Sequence, residues 1–471
     1  MSLPLSRRMA GLVLAAWLVQ VLPCGAQVPA PEEPPAAAGP RAMHRLADPY
    51  VFATADSMTR LPLVATADGV RFSWPGALAR GDTALLAVRS LGAERDPWVE
   101  IAVGDDRIQQ YLDANALGVR WLNLSGLIER LSPGAEVMIR THAVTLAAEA
   151  ATLRVFDNHL DLKGRILVIA PHPDDAEIAA FGLYADREAT VVTVTAGNAG
   201  DMNYRASLSD PAEHYALKGY LRAVDSVTVP WQGRIPPERT ANLGYFDGRL
   251  DAMYQKPEQT FPEVYGPNTD VARYRRANLS TLVSGATRSN SWRHLVEDLA
   301  QVLRKVNPAI VVMPDPRLDG HLDHEFASVA LDEALAHWQG NPVFLLYTNH
   351  SDRDRYPYGP AGTVVSLPPG EHPVRVQRVY SHPTPQALQV RKLFALESMH
   401  DLRLSPDEQM NCSVAGLAQR PDYPRIPETD YLRRAPRANE LFLEFDKAGM
   451  HAAIVEFIEQ YQAAAAPGEG S

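Results

Sequence analysis

The stretch Arg165-Ile-Leu-Val-Ile-Ala-Pro-His-Pro-Asp-Asp-Ala-Glu177 sets the fold. Ile166 to Ala170 is an unbroken apolar run, the pattern of a central parallel strand buried on both faces. Similar runs recur at Ala189–Val194, Ser226–Val229 and Ala309–Met313. Between them the period changes. From Trp292 to Val306, Leu295, Leu299, Val302, Leu303 and Val306 line one side of a helix, and Glu325–Trp338 reads as another helix. Strands alternating with helices imply an α/β domain with a parallel, doubly wound sheet and right-handed crossovers. In such sheets ligands gather beyond the carboxyl ends of the strands.

Two motifs stand at such ends. Pro171-His-Pro-Asp-Asp-Ala-Glu177 follows the first run directly, and helix is expected from about Ala176. An imidazole and a carboxylate three residues apart can share a face and hold a divalent metal such as zinc. Of the two aspartates, one can be a ligand and the other can take a proton from water. The run Ala309–Met313 leads into Pro314-Asp-Pro-Arg-Leu-Asp-Gly320 and then His321-Leu-Asp-His324, which opens a helix. Histidines at i and i+3 face the same way on a helix, and Asp323 adds a carboxylate. Both motifs end strands of one expected sheet, so both reach one rim.

Upstream, residues 45–157 read as a small β-sandwich domain. Trp98–Val103 alternates, with Val99, Ile101 and Val103 on one face, and Glu136–Leu146 is a second strand. Pro75-Gly76, Arg80-Gly81-Asp82, Asp105-Asp106 and Pro133-Gly134 mark turns. Residues 27–44 form a Pro/Ala-rich linker. Residues 1–26 read as a signal peptide, with Arg7 and Arg8 before the apolar stretch Met9–Leu22. That stretch is shorter than the roughly 20 residues a membrane span needs, so a periplasmic or secreted protein without a stable membrane span is expected. Cys24 is a weak lipidation candidate because Pro23 precedes it. Cys412 would then be the single thiol of a processed chain, with no disulfide to form.

The length of 471 residues suits two folded domains, and the hydrophobic share of 46% is that of a globular chain. A formal net charge of -11 argues against a general nucleic-acid binder. From Asn203 to Asn290 the sequence shows little periodicity and many aromatic residues, the pattern of a long functional insert.

The motifs APHPDDAEI and MPDPRLDGHLDH resemble those of the LmbE/PIG-L-like zinc-dependent N-acetylglucosamine deacetylases, over roughly residues 163–450. Weaker echoes are TAGNAGD after the second strand, LGYFDGRL at Leu243–Leu250 and KLFALESMH at Lys392–His400. The resemblance implies a Rossmann-like deacetylase domain over residues 158–465 and one Zn2+ held by His172, Asp175 and His324. It implies Asp174 as general base, and His321 in its protonated form as stabiliser of the tetrahedral intermediate. Asp323 would orient His321, and Asp247 would contact substrate. The chain departs from the family at Phe181-Gly182, where two glycines are common, and at Asn198, where an acidic residue is common. The expected activity is removal of N-acetyl groups from amino sugars of an envelope or extracellular glycan. The alternatives are a zinc amidase acting on another N-acyl compound and an inactive carbohydrate-binding protein.

Overall fold

In this computed structural model the described residues are 50–465, apart from 55–58, 76–82, 115, 159, 205–206, 352–354 and 403–431. The signal peptide, the linker, Cys24, Cys412 and the Arg80-Gly81-Asp82 turn lie outside them.

The described residues form a mixed α/β structure with three sheets. Strand β1 (Tyr50–Thr54) is followed by β2 (Thr59–Pro62), β3 (Val64–Ala65), β4 (Gly69–Ser73), β5 (Thr83–Val103), β6 (Asp106–Tyr111), β7 (Gly118–Asn123), β8 (Glu136–Leu146) and β9 (Ala150–Phe156). Strands β2 to β9 join into one antiparallel sheet, where the sequence reading expects the two separate sheets of a sandwich. The reason is the length of β5. Its first half pairs with β7 and β9 and its second half with β6, while β8 follows it from Ser90 to Ala102, so one strand carries both layers. Leu86 and Val88 from the first half share a core with Val99 and Ile101 from the second.

The second sheet contains β10 (Ile166–Ala170), β11 (Ala189–Thr195), β12 (Thr240–Tyr245), β13 (Ile310–Pro314), β14 (Val343–Tyr347), β16 (Arg378–Pro383) and β17 (Asn439–Phe445). Its order is β12-β11-β10-β13-β14-β17-β16; the first five strands are parallel, β17 runs against them, and β16 is antiparallel to β17. Helices α1 (Asp175–Tyr184), α2 (Pro211–Thr228), α3 (Leu250–Gln255), α4 (Ala272–Arg275), α5 (Trp292–Val306), α6 (Leu322–Leu335), α7 (Gln386–Glu397) and α8 (Lys447–Ala465) connect or flank the strands. Alternate residues of β10 enter two different cores: Leu167 and Ile169 pack with α5 and α6, while Ile166 and Val168 pack with α1. Burial on both faces explains why this strand is apolar throughout.

Ser226–Val229 is not a strand. It closes α2, and the third parallel strand is β12, whose sequence TANLGY lacks an apolar run. The expected long insert therefore holds the helices α2, α3 and α4 and the strand β12. Among its aromatics, Tyr245, Phe246 and Tyr274 are core residues, whereas Trp231 is 68% exposed.

Polar contacts join the two large sheets. Asn123 donates to Val365 O (2.8 Å) and Ser381 Oγ (3.0 Å), and Asn158 donates to Val379 O (3.1 Å) and Glu444 Oε2 (2.8 Å). Strand β1 leaves its neighbours and pairs in parallel with β15 (Gly370–Val376).

Candidate active site

From β10 the chain runs outward through β11 and β12, then returns to place β13 on the other side of β10. The strand order reverses between β10 and β13, and a crevice opens at such a reversal. Both motifs emerge there. His172 stands in the turn after β10, Asp175 is the first residue of α1, and His324 lies in the first turn of α6.

Three atoms converge. His172 Nδ1 is 3.1 Å from His324 Nε2 and 3.4 Å from Asp175 Oδ2, and the last two are 3.1 Å apart. Ligands at about 2.0–2.1 Å around a tetrahedral zinc would be separated by about 3.3 Å. The residues fit such an ion by donor type, spacing and burial. The far side of each ring is held by carboxylate. Asp319 Oδ2 lies 3.1 Å from His324 Nδ1 and also accepts the Asn349 N–H. His172 Nε2 lies 3.3 Å from both Asp323 Oδ2 and Asp247 Oδ1. Carboxylates behind metal-ligating imidazoles fix tautomer and orientation. Asn349 donates to Asp175 Oδ1 (2.8 Å) and the His172 N–H donates to Asp175 Oδ2 (2.8 Å).

The electrostatics favour a cation. Burial pushes His324 down, yet the carboxylates of Asp175 and Asp319 outweigh it and raise the imidazole to about 10. Burial raises Asp175, and His324 and His172 more than reverse this. Positive charge at the centre of this cluster is therefore stabilised, whether proton or metal. Ligand atoms of His172, His321 and His324 lie within 4.8 Å of one another, as do those of Asp175, His324 and His350 and those of His172, Asp247 and Asp323.

Asp174 stands beside this cluster without joining those sets. Burial pushes its carboxyl up to about 6 against the pull of Arg222, and adjacent Asp175 adds to the rise. Arg222 Nη2, on α2, donates to Asp174 Oδ2 and to Pro173 O, both at 3.2 Å. Gly197 leaves room for that guanidinium: its φ is 63°, and a Cβ there would lie 2.5 Å from Arg222 Nε. Asn198 Oδ1 accepts the Asp247 N–H (3.1 Å), so the residue that departs from the family pattern anchors the Asp247 loop.

Two expected roles look different in place. The Asp323 carboxylate reaches His172 and accepts the N–H groups of Gly248 (2.7 Å) and Leu250 (3.2 Å); only its main-chain N–H, donating to Nδ1 at 3.2 Å, meets His321. His321 is expected as a cation, but burial pushes it well below the ordinary imidazole value and His172 and His324 add to the fall. With Nδ1 accepting, the neutral ring keeps its proton on Nε2.

The sequence reading gives no role to five further residues here: Arg222, Asp319, Asn349, His350 and Asp401. Asp319 lies inside the quoted second motif. Asn349 and His350 follow the apolar run Val343–Tyr347 just as the motifs follow theirs, so that signal was present.

Residues 167–335 match the model of a family described as PIG-L: GlcNAc-PI de-N-acetylase. This PIG-L segment holds His172, Asp174, Asp175, Asp247, His321, Asp323 and His324, while His350 and Asp401 lie beyond it. The match supports a deacetylase-type hydrolase. Among solved structures the chain is similar to the A40926 pseudoaglycone deacetylase Dbv21, at 17% identity and a TM-score of 0.33, covering 60% of this chain and 98% of that one. It is also similar to GalB, the 4-carboxy-2-hydroxymuconate hydratase from Pseudomonas putida KT2440, at 11% identity and a TM-score of 0.29, covering 60% and 95%. No curated protein matches the chain. Among the described residues no helix is long and apolar enough to cross a membrane.

Proposed function

We propose that this protein is an exported, zinc-dependent hydrolase that removes N-acetyl groups from the amino sugars of an envelope or extracellular glycan. The observation that carries the reading is the triangle of His172 Nδ1, Asp175 Oδ2 and His324 Nε2 with the Asp174 carboxylate, held by Arg222, beside it. Two imidazoles and one carboxylate form a donor set of catalytic zinc, which keeps a further position open. The family description supports an acetylated amino sugar as substrate, and the first 26 residues support export.

Zinc held by these three residues would supply Lewis acidity toward water and toward a carbonyl oxygen. The other functions belong to the chain. Asp174, with Oδ2 engaged by Arg222, takes the water proton as the oxygen attacks the acetyl carbon. Neutral His321 donates Nε2–H to the carbonyl oxygen as negative charge builds there. Asp174 then returns the proton to the sugar nitrogen as the C–N bond breaks, giving acetate and the free amine. Asp247 and Asp323 hold His172 in the tautomer that turns Nδ1 inward.

The test is acetate release from N-acetylglucosamine oligosaccharides by purified protein, with metal analysis and chelation. About one zinc per chain, and turnover that chelation abolishes and zinc restores, are expected. Zinc-dependent hydrolysis confined to other N-acyl amides would remove the sugar from this reading. Full activity in a metal-free protein would remove zinc.

A further inference from the structure

We propose that Asp401, which lies outside the PIG-L segment, is a positioning residue of the catalytic centre and acts through Arg222 to fix where the Asp174 carboxylate stands. The proposal rests on the deacetylase reading above.

The geometry is a relay of three charged groups. Arg222 places one terminal nitrogen on Asp174 and Pro173 O, and its other, Nη1, lies 3.0 Å from Asp401 Oδ2. A guanidinium held at both ends has its plane set, so the nitrogen facing Asp174 is set as well. Asp401 is itself fixed. Its Oδ1 accepts the Tyr204 hydroxyl at 3.1 Å, and Lys218 Nζ, one turn before Arg222 on α2, stands 3.4 Å from Oδ2. The preceding residue fastens the same helix: Asp225 accepts the His400 N–H at 2.8 Å, and the other oxygen of Asp225 lies 2.7 Å from His400 Nδ1.

The charge balance explains why a carboxylate is needed at this place. Arg222 and Lys218 approach the crevice from one helix face, and both are largely buried. Without Asp401 the acidic groups acting on them would be Asp174, Asp175 and Asp247, all inside the crevice. Arg222 would then redistribute onto those, and the carboxylate that must meet water would move with it. Asp401 supplies the compensating charge from outside the reacting space. An outer residue can therefore set reaction rate without touching substrate, since misplacement by about 1 Å can cost about 10²-fold.

The test compares Asp401→Asn, Asp401→Glu, Arg222→Gln and the Asp401→Asn/Arg222→Gln double variant in the zinc-loaded full chain. Each is assayed on one acetylated oligosaccharide, with zinc content and Tm measured alongside. Asp401→Asn should lower kcat about 10²-fold while KM and zinc content stay near those of the unaltered protein. Asp401→Glu should restore part of the loss, and the double variant should be no slower than Arg222→Gln alone. Losses that multiply in the double variant, or an Asp401→Asn loss carried wholly by KM or by zinc, would overturn the proposal. If Asp401→Asn does not fold, Tyr204→Phe removes one donor from Asp401 and keeps its charge; a smaller fall in kcat is expected, and an unchanged kcat counts against the relay. A crystal structure of the Asp401→Asn or Tyr204→Phe protein reads the relay without turnover. Separation of Arg222 from Asp174 supports it, and an unmoved contact refutes it. An unaltered protein inert toward every acetylated sugar would instead defeat the deacetylase reading, leaving Asp401 to be decided by the crystal structure.

Discussion

Helix α1 touches two buried polar sites of opposite character. At its start lies the candidate metal cluster, where two imidazole nitrogens face one another at 3.1 Å with carboxylate oxygens around them. Further along, the backbone breaks from helical form at Ala180, and a Lys392–Glu440 pair fills the break. Lys392 Nζ donates to Glu440 Oε1 (2.9 Å) and to Ile178 O (2.7 Å), while Glu440 accepts the N–H groups of Gly182 and Leu183, each at 2.8 Å. The pair is self-sufficient: each charge meets its opposite, and the loose backbone groups of the broken helix are capped. The cluster at the start of the helix instead has the donors and charge that a bound cation would complete. Buried polar groups that answer one another build structure, and those that converge on one point mark a place for something else.

Breaking each side of this contrast should have different consequences. The largest effect is expected from His324→Ala, which removes one of three ligands; zinc content by mass spectrometry should collapse and turnover should fall to background. Full zinc occupancy in that variant would refute the ligand set. Asp174→Asn should keep its zinc and lose about 10²–10⁴-fold in kcat. In the unaltered protein, kcat/KM should rise with pH along an acidic limb at or below about 6, since the base works when ionised and a nearby metal cation can only lower the value from that set by burial. Near-normal turnover of Asp174→Asn would mean that another group is the base. Lys392→Met leaves a buried carboxylate without its cation and should cost about 3 kcal/mol in denaturant unfolding while zinc content holds. Loss of zinc in step with stability would erase the distinction drawn here. Asp319→Asn is expected to be mildest, weakening zinc about 10- to 100-fold in a chelator competition because only the carboxylate behind His324 is lost.

What could be read from the sequence follows the reach of each signal. The apolar runs of β10, β11 and β13 declare strands buried on both faces, and the amphipathic stripe of α5 declares its helix from Trp292 to Val306. Because the two motifs follow β10 and β13, their meeting place follows from sheet topology alone. The strand β12 was not legible: Thr240, Asn242 and Gly244 interrupt its apolar residues, yet all six of its residues are buried. Asn242 is there because its side chain donates to Thr195 O (2.9 Å) and Ser226 Oγ (3.0 Å), contacts that arise only after folding. The same holds for Arg222, an arginine in an amphipathic helix until the Gly197 turn and Asp401 come to it. The continuous sheet of β2 to β9 escaped for another reason. Alternation marks strands but does not say that one of them, β5, runs for 21 residues through both layers.

The pairing of β1 with β15 fixes an order of events during synthesis. Tyr50 sits opposite Gly370 in the parallel ladder, 320 positions (370 minus 50) further along the chain. At about 5–20 residues per second, the ribosome needs tens of seconds to make the intervening polypeptide. Throughout that interval the ladder groups of β1 have no β15 partner, and a solitary strand edge is a template for foreign pairing. Closure of so long a loop also makes this ladder a late step of folding. The first described strand of the chain is therefore among the last to find its place.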